Sequence, residues 1–120
     1  MTVSMIVNYV DNANTAAALY AGILGTKPIH EEPGFALFPL AEKTTLGLWS
    51  RASVKPASDA RGGQSEICLT VASDAEVDAT QAAWQQLGLR IVQQPTELGF
   101  GYTITAEDPD GNRIRCYAPK

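Results

Sequence analysis

The chain has 120 residues, 45% of them hydrophobic, and a formal net charge of −4. That length suits one domain with a buried core, and the acidic balance argues against nucleic acid, which demands a basic footprint. No window approaches the ~20 apolar residues of a membrane span. The N-terminus, MTVSMIVNYVDN, lacks the basic flank and cleavage site of a signal peptide, so a cytoplasmic protein without membrane partners is expected.

VSMIVNYV (Val3 to Val10) is β-branched and apolar and reads as a strand. Asp11, Asn12 and Asn14 follow as turn and cap residues. TAAALYAGILG (Thr15 to Gly25) has Ala17, Leu19, Tyr20, Ile23 and Leu24 at helical spacing, with Gly25 as C-cap. Lys27 to His30, Phe35 to Leu40 and Thr44 to Ser50 read as three short strands, with turns at EEPG and AEK. RASVKPASDARGG (Arg51 to Gly63) is small, polar and linker-like.

The second half repeats the first. SEICLTV (Ser65 to Val71) is a strand. Ser73 with Glu76 three residues later fits a capping box ahead of a helix over Ala75 to Gly88. Its inner face is expected to carry Val77, Thr80, Ala83, Trp84 and Leu87. Leu89 to Gln94, Tyr102 to Glu107 and Asn112 to Ala118 complete the set as strands. The expected fold is therefore α+β, with two βαβββ modules at 1–50 and 64–120 joined by the linker 51–63. The sheet faces not covered by helices are expected to curve around a shared cavity or to meet a partner subunit.

Strand alternation sorts the side chains. Ile67, Leu69 and Val71 should meet a helix, leaving Glu66, Cys68 and Thr70 on the inner face. Leu46 and Leu48 leave Thr45, Gly47 and Trp49; Ile114 and Cys116 leave Arg113, Arg115 and Tyr117. In the first strand Met5, Val7 and Tyr9 form the inner set. Cys68 and Cys116 then lie on opposite faces, which argues against a disulfide.

YVDNANTAAALYAGILG, the Gly62-Gly63 pair and FGYTITAEDPDGNRI together resemble the vicinal oxygen chelate superfamily of glyoxalase I, extradiol dioxygenases and the bleomycin and fosfomycin resistance proteins. That resemblance implies a divalent metal held by His, Gln and Glu on the first, fourth, fifth and eighth strands. The corresponding positions here are Met5 (or Ser4), Gly47 or Trp49, Glu66 and Arg115. Only Glu66 offers coordinating chemistry suited to a hard divalent ion; an arginine has no lone pair to give. No metal and no cofactor are therefore expected. The sole histidine, His30, lies away from this set.

Trp49 in LGLWS, Glu66 in SEICL, Arg115 in DPDGNRIRCYAP and the stretch PGFALFP are similar to the phenazine antibiotic resistance proteins of that superfamily. This implies a metal-free homodimer that binds a small planar aromatic ligand, with a fourth-strand tryptophan stacking on it. The expected ligand-binding residues are Trp49, Arg115, Glu66, Met5, Cys68, Phe100 and Tyr102, and no catalytic residue is expected. Glu66 and Arg115 also fit a simple salt bridge. QQPTELGFGY (Gln93 to Tyr102), with its two glycines, suits a flap, and DPDG is a structural turn. The rival expectation is a divergent metal-dependent lyase or dioxygenase.

Overall fold

Apolar residues alternating with period two, and at helical spacing between the strand runs, yield eight strands and two α-helices. The computed structural model describes all 120 residues. The chain forms two compact units, Met1–Ala60 and Arg61–Lys120. In the first unit β1 (Met5–Val10), α1 (Ala13–Leu24), β2 (His30–Glu32), β3 (Phe35–Ala41) and β4 (Thr44–Ser50) build a sheet of order β1-β4-β3-β2. In the second, β5 (Glu66–Thr70), α2 (Asp74–Gln86), β6 (Arg90–Leu98), β7 (Gly101–Glu107) and β8 (Arg113–Pro119) build β5-β8-β7-β6. Each sheet is mixed: the first strand of a unit runs parallel to the last, and the other pairings are antiparallel. No helix is long and apolar enough to cross a membrane.

In the first unit the core lies between sheet and helix. Val10, Ala36, Phe38, Leu46 and Leu48 are fully buried, as are Ala13 and Tyr20 of α1, and Ala17 and Ile23 are nearly so. Alanine at the contacting positions lets the helix approach the sheet closely. The helix starts two residues earlier than the sequence suggests, because the Asn12 side chain caps it, accepting from the Asn14 and Thr15 amides at 3.0 Å. Asn14 in turn donates to Glu31 Oε2 and the Glu32 carbonyl and accepts from the Gly34 amide, tying the helix to the β2–β3 hairpin. That hairpin places β2 at His30–Glu32 rather than Lys27 to His30.

In the second unit Val77 and Trp84 of α2 pack with Ile104, Ala106, Ile114, Cys116 and Ala118. Ala83 and Leu87, expected inside, are exposed; the buried stripe is narrower than the expected one and follows Val77, half-buried Thr80 and Trp84. Ser73 caps α2 through the Glu76 amide, and the Glu76 carboxylate returns to the Ala72 amide at 2.8 Å. The DPDGN turn is a closed hydrogen-bond unit. Asp108 Oδ1 accepts from the Asp110 and Asn112 amides, Oδ2 accepts from the Asn112 side chain, and Gly111 takes φ 89°. A Cβ on Gly62 would strike Asn112, so glycine is required where the chain enters this unit.

Two expectations about connections change. The 51–63 segment is not a free linker throughout: Arg51–Ser53 form a 3₁₀ turn and Val54 is buried. Most of the segment expected as a flap is strand, since β6 runs on to Leu98 and only Gly99 and Phe100 turn. Pro95 is tolerated there because β6 is an edge strand.

Candidate functional site

The face of the first sheet turned away from α1 is apolar and aromatic. Parallel register sets Val7 beside Gly47 and Tyr9 beside Trp49, and Phe35 lies across from Trp49 on β3. The Tyr9 and Trp49 rings meet edge to face, 6.5 Å between centroids at 81°. Gly47 leaves a gap that its neighbours cover: a Cβ there would sit 3.2 Å from both Met5 Sδ and the Phe35 ring. Met5 and Tyr9 are substantially exposed. This face presents thioether and ring surface and no charged group from its inner positions on β1, β3 and β4.

The corresponding face of the second sheet is built around Arg115. One rung crosses all four strands, with Cys68 beside Arg115, Arg115 opposite Thr105, and Thr105 opposite Gln93. The guanidinium donates from Nε to Glu66 Oε1 at 2.7 Å and from Nη2 to Glu66 Oε2 at 3.3 Å. Its Nη1 donates to Gln93 Oε1 and to Thr103 Oγ1, each at 3.0 Å. Thr105 Oγ1 also donates to Gln93 Oε1 at 3.0 Å, and Thr103 Oγ1 donates to the Cys116 carbonyl at 3.2 Å. Four of the five guanidinium N–H donors thus have partners within the chain. The Phe100 ring stands 5.6 Å from the guanidinium carbon, and packs edge to face on Tyr117. A Cβ on Gly101 would strike the Ala118 carbonyl, so a glycine beside Phe100 lets the turn lie flat against β8.

Charge follows geometry. The Arg115 hydrogen bonds hold the Glu66 carboxyl below its usual range, against a smaller opposing effect of burial. Burial pushes the Cys68 thiol up, and its S–H bond to Glu66 Oε1, at 3.4 Å, pushes the same way. Cys68 is therefore a poor nucleophile at neutral pH. Glu66, Cys68, Phe100, Arg115 and Tyr117 line an open concavity of about 310 Å³, at the small end of the range of small-molecule sites.

The sequence-derived set is thus divided by the structure. Trp49 and Met5 lie together on the first face; Glu66, Cys68, Arg115 and Phe100 lie together on the second. Tyr102 belongs to neither. Its hydroxyl donates to Asp78 of α2 at 2.8 Å, which puts it on the helix side of β7, and the inner positions there are Thr103 and Thr105. Alternation within YTITAE carries that signal, since Ile104 and Ala106 share the parity of Tyr102. Gln93 is missed for another reason. Two residues of β6, from Ile91 to Gln93, face a single step of β7, from Ala106 to Thr105. This bulge turns Gln93 onto the inner face against simple alternation.

The residues at the positions that resemble metal ligands do not fit a divalent ion. Glu66 is the one carboxylate among them, and its oxygens already accept from a permanent cation. Gly47 has no side chain and Met5 is a soft thioether. No group of three His, Cys, Asp or Glu side chains is placed to hold a metal. His30 instead sits on exposed β2, 3.3 Å from Glu32. Cys68 is exposed and Cys116 buried, both as free thiols, in keeping with their opposite parity.

The sequence profile of the Glyoxalase/Bleomycin resistance protein/Dioxygenase superfamily matches residues 2–116. No curated protein matches the chain. Among solved structures, a protein of Agrobacterium tumefaciens determined in solution by NMR is 42% identical, with a TM-score of 0.90 over 100% of this chain and 98% of that one. A glyoxalase/bleomycin resistance protein/dioxygenase family enzyme of Burkholderia phytofirmans is 17% identical, with a TM-score of 0.85 over 100% of both chains. A lactoylglutathione lyase of Agrobacterium tumefaciens is 19% identical, with a TM-score of 0.73 over 98% of this chain and 92% of that one. These last two share the fold.

Proposed function

Since the chain belongs to the Glyoxalase/Bleomycin resistance protein/Dioxygenase superfamily, we propose that it is a metal-independent cytoplasmic protein that binds and sequesters a small planar aromatic molecule. A phenazine-like compound is the proposed class, and a homodimer the proposed working form. The observation that carries this reading is the seat of Arg115. Glu66, Gln93 and Thr103 present four oxygen acceptors to one guanidinium, so a tethered cation satisfies acceptors that could otherwise serve a metal ion. With that centre neutralised, what the two inner faces offer a ligand is ring surface: Trp49 and Tyr9 on one, Phe100 and Tyr117 on the other. Offset or edge-to-face stacking on such rings adds about 0.5–1.5 kcal/mol per pair beyond area burial.

Tryptophan emission tests it. Trp49 is half-exposed and Trp84 is buried against its sheet. Titration with phenazine should quench emission saturably, and Trp49→Ala should abolish most of that response while leaving Trp84 emission intact. Quenching that never saturates, or that is unchanged by Trp49→Ala, would overturn the reading.

A further inference from the structure

We propose that the second unit's concavity selects a planar ligand bearing a hydrogen-bond donor, neutral or cationic, and rejects its anionic counterpart, with Glu66 as the residue that reads the donor. This rests on the aromatic-ligand reading above and narrows it. An arginine in a cavity suggests an anion site, but the geometry here points the other way. Four of the five N–H groups of Arg115 are bonded within the chain, and the side chain is 14% exposed. The Phe100 ring covers the guanidinium at 5.6 Å. An incoming carboxylate would find one free Nη2–H, and any further contact with the guanidinium would break the pair with Glu66. Breaking such a pair leaves a desolvated charge without its partner.

Glu66 is the more open member, with 32% of its side chain exposed. Its Oε1 accepts from Arg115 Nε and from the Cys68 thiol. Its Oε2 accepts only from Arg115 Nη2, at 3.3 Å, and keeps a lone pair for an outside donor. The Cys68 thiol is engaged as a donor toward Glu66 and so offers an anion nothing. The Tyr117 hydroxyl, in the same lining, can either donate or accept. Arg113, on the same face of β8, is exposed and outside the lining, and its charge helps to keep Glu66 ionised. The free hydrogen-bonding capacity of the concavity is therefore mainly that of an acceptor, and a charged one. An N–H or O–H donor on the ring edge meets it, whereas a carboxylate gains at most the free Nη2–H of Arg115 and the Tyr117 hydroxyl.

Three tricycles of one frame test this by calorimetric titration at pH 7: phenazine, 2-aminophenazine and phenazine-2-carboxylate. The amine should bind about tenfold tighter than the carboxylate, the scale of one charge-assisted hydrogen bond, with phenazine between. Glu66→Gln should shrink that preference to about threefold or less. A carboxylate that binds as tightly as the amine overturns the inference, as does a preference unchanged in Glu66→Gln. Should that variant not fold, the native protein still decides: 2-aminophenazine should shift the amide resonances of Glu66 and Cys68, and binding without those shifts overturns it. Equal binding of all three would remove the inference and leave the aromatic-ligand reading standing. Binding of none would remove both.

Discussion

The two sheets share strand order and strand direction, yet the faces they turn away from their helices are chemically unlike. In the first unit that face is a patch of Met5, Phe35, Tyr9 and Trp49 around the bare Gly47. In the second it is a hydrogen-bonded lattice of Glu66, Cys68, Gln93, Thr103, Thr105 and Arg115. The helix-facing sides, by contrast, are alike: Val10, Phe38, Leu46 and Leu48 in one, Ile104, Ile114 and Cys116 in the other, all essentially without exposure. The repeated backbone is held by the helix-side core, so the opposite face is free to carry different chemistry in each copy.

The largest expected effects test the likeness. Leu48→Ala and Ile114→Ala remove fully buried side chains from equivalent strands, and each should cost about 2–5 kcal/mol in urea unfolding. A loss below about 1 kcal/mol in either would show that its core is not what holds that unit.

The next effects test the difference. Arg115→Ala removes the cation partner of Glu66 and leaves Thr103 Oγ1 without its donor, while Gln93 Oε1 keeps only Thr105 and Glu66 Oε1 only the Cys68 thiol. The pair is partly open to water, so a cost of about 1–3 kcal/mol is expected, below the fully buried case. Trp49→Ala removes a half-exposed ring that pairs with one other aromatic ring, and should cost less than Arg115→Ala in the same assay. If the order is reversed, the ionic lattice is not the stiffer of the two faces.

Acid should separate the faces as well. The Glu66 carboxyl is depressed by Arg115. Its contribution to stability is therefore complete above the ordinary carboxylate range, and fades as the pH falls through that range and through its lowered folded value. Glu66→Gln should flatten this part of the acid-side decline in unfolding free energy, while Trp49→Ala should leave its slope unchanged. An acid profile identical in Glu66→Gln and the native protein would mean that other carboxylates govern it. The smallest effect is expected for Gly47→Ala. The nearest atoms to the new methyl are the flexible Met5 tip and the Phe35 ring edge, at 3.2 Å, so a change within about 1 kcal/mol is expected. A larger loss, measured by urea unfolding, would show that the patch is rigidly packed.

Much of this was legible in the amino-acid sequence, because alternation is a strong signal wherever one side of a strand is buried. Ile67 and Leu69 against Glu66 and Cys68, and Ile114 and Cys116 against Arg113 and Arg115, separate the faces of β5 and β8 without coordinates. The strand and helix repeat was readable for the same reason. The parity of Tyr102 with Ile104 and Ala106 puts it on the helix side of β7, although its aromatic character alone suggests a pocket wall. Gln93 could not be found by alternation at all, since the bulge at Ile91–Gln93 inverts the pattern locally. The extent of β6 was hidden by Pro95, Gly99 and Gly101, which suggest a loop but suit an edge strand and its tight turn. The number of partners that Arg115 has was equally beyond reach, because it depends on Gln93 and Thr103 arriving together from two other strands.

Elemental analysis of the protein, purified without chelators or added metal, tests the central claim most directly. If Arg115 is the resident cation of the second face, Ni, Zn, Mn and Fe should each fall well below one equivalent per chain. One equivalent of any of them, retained through dialysis and lost on Glu66→Gln, would contradict the account.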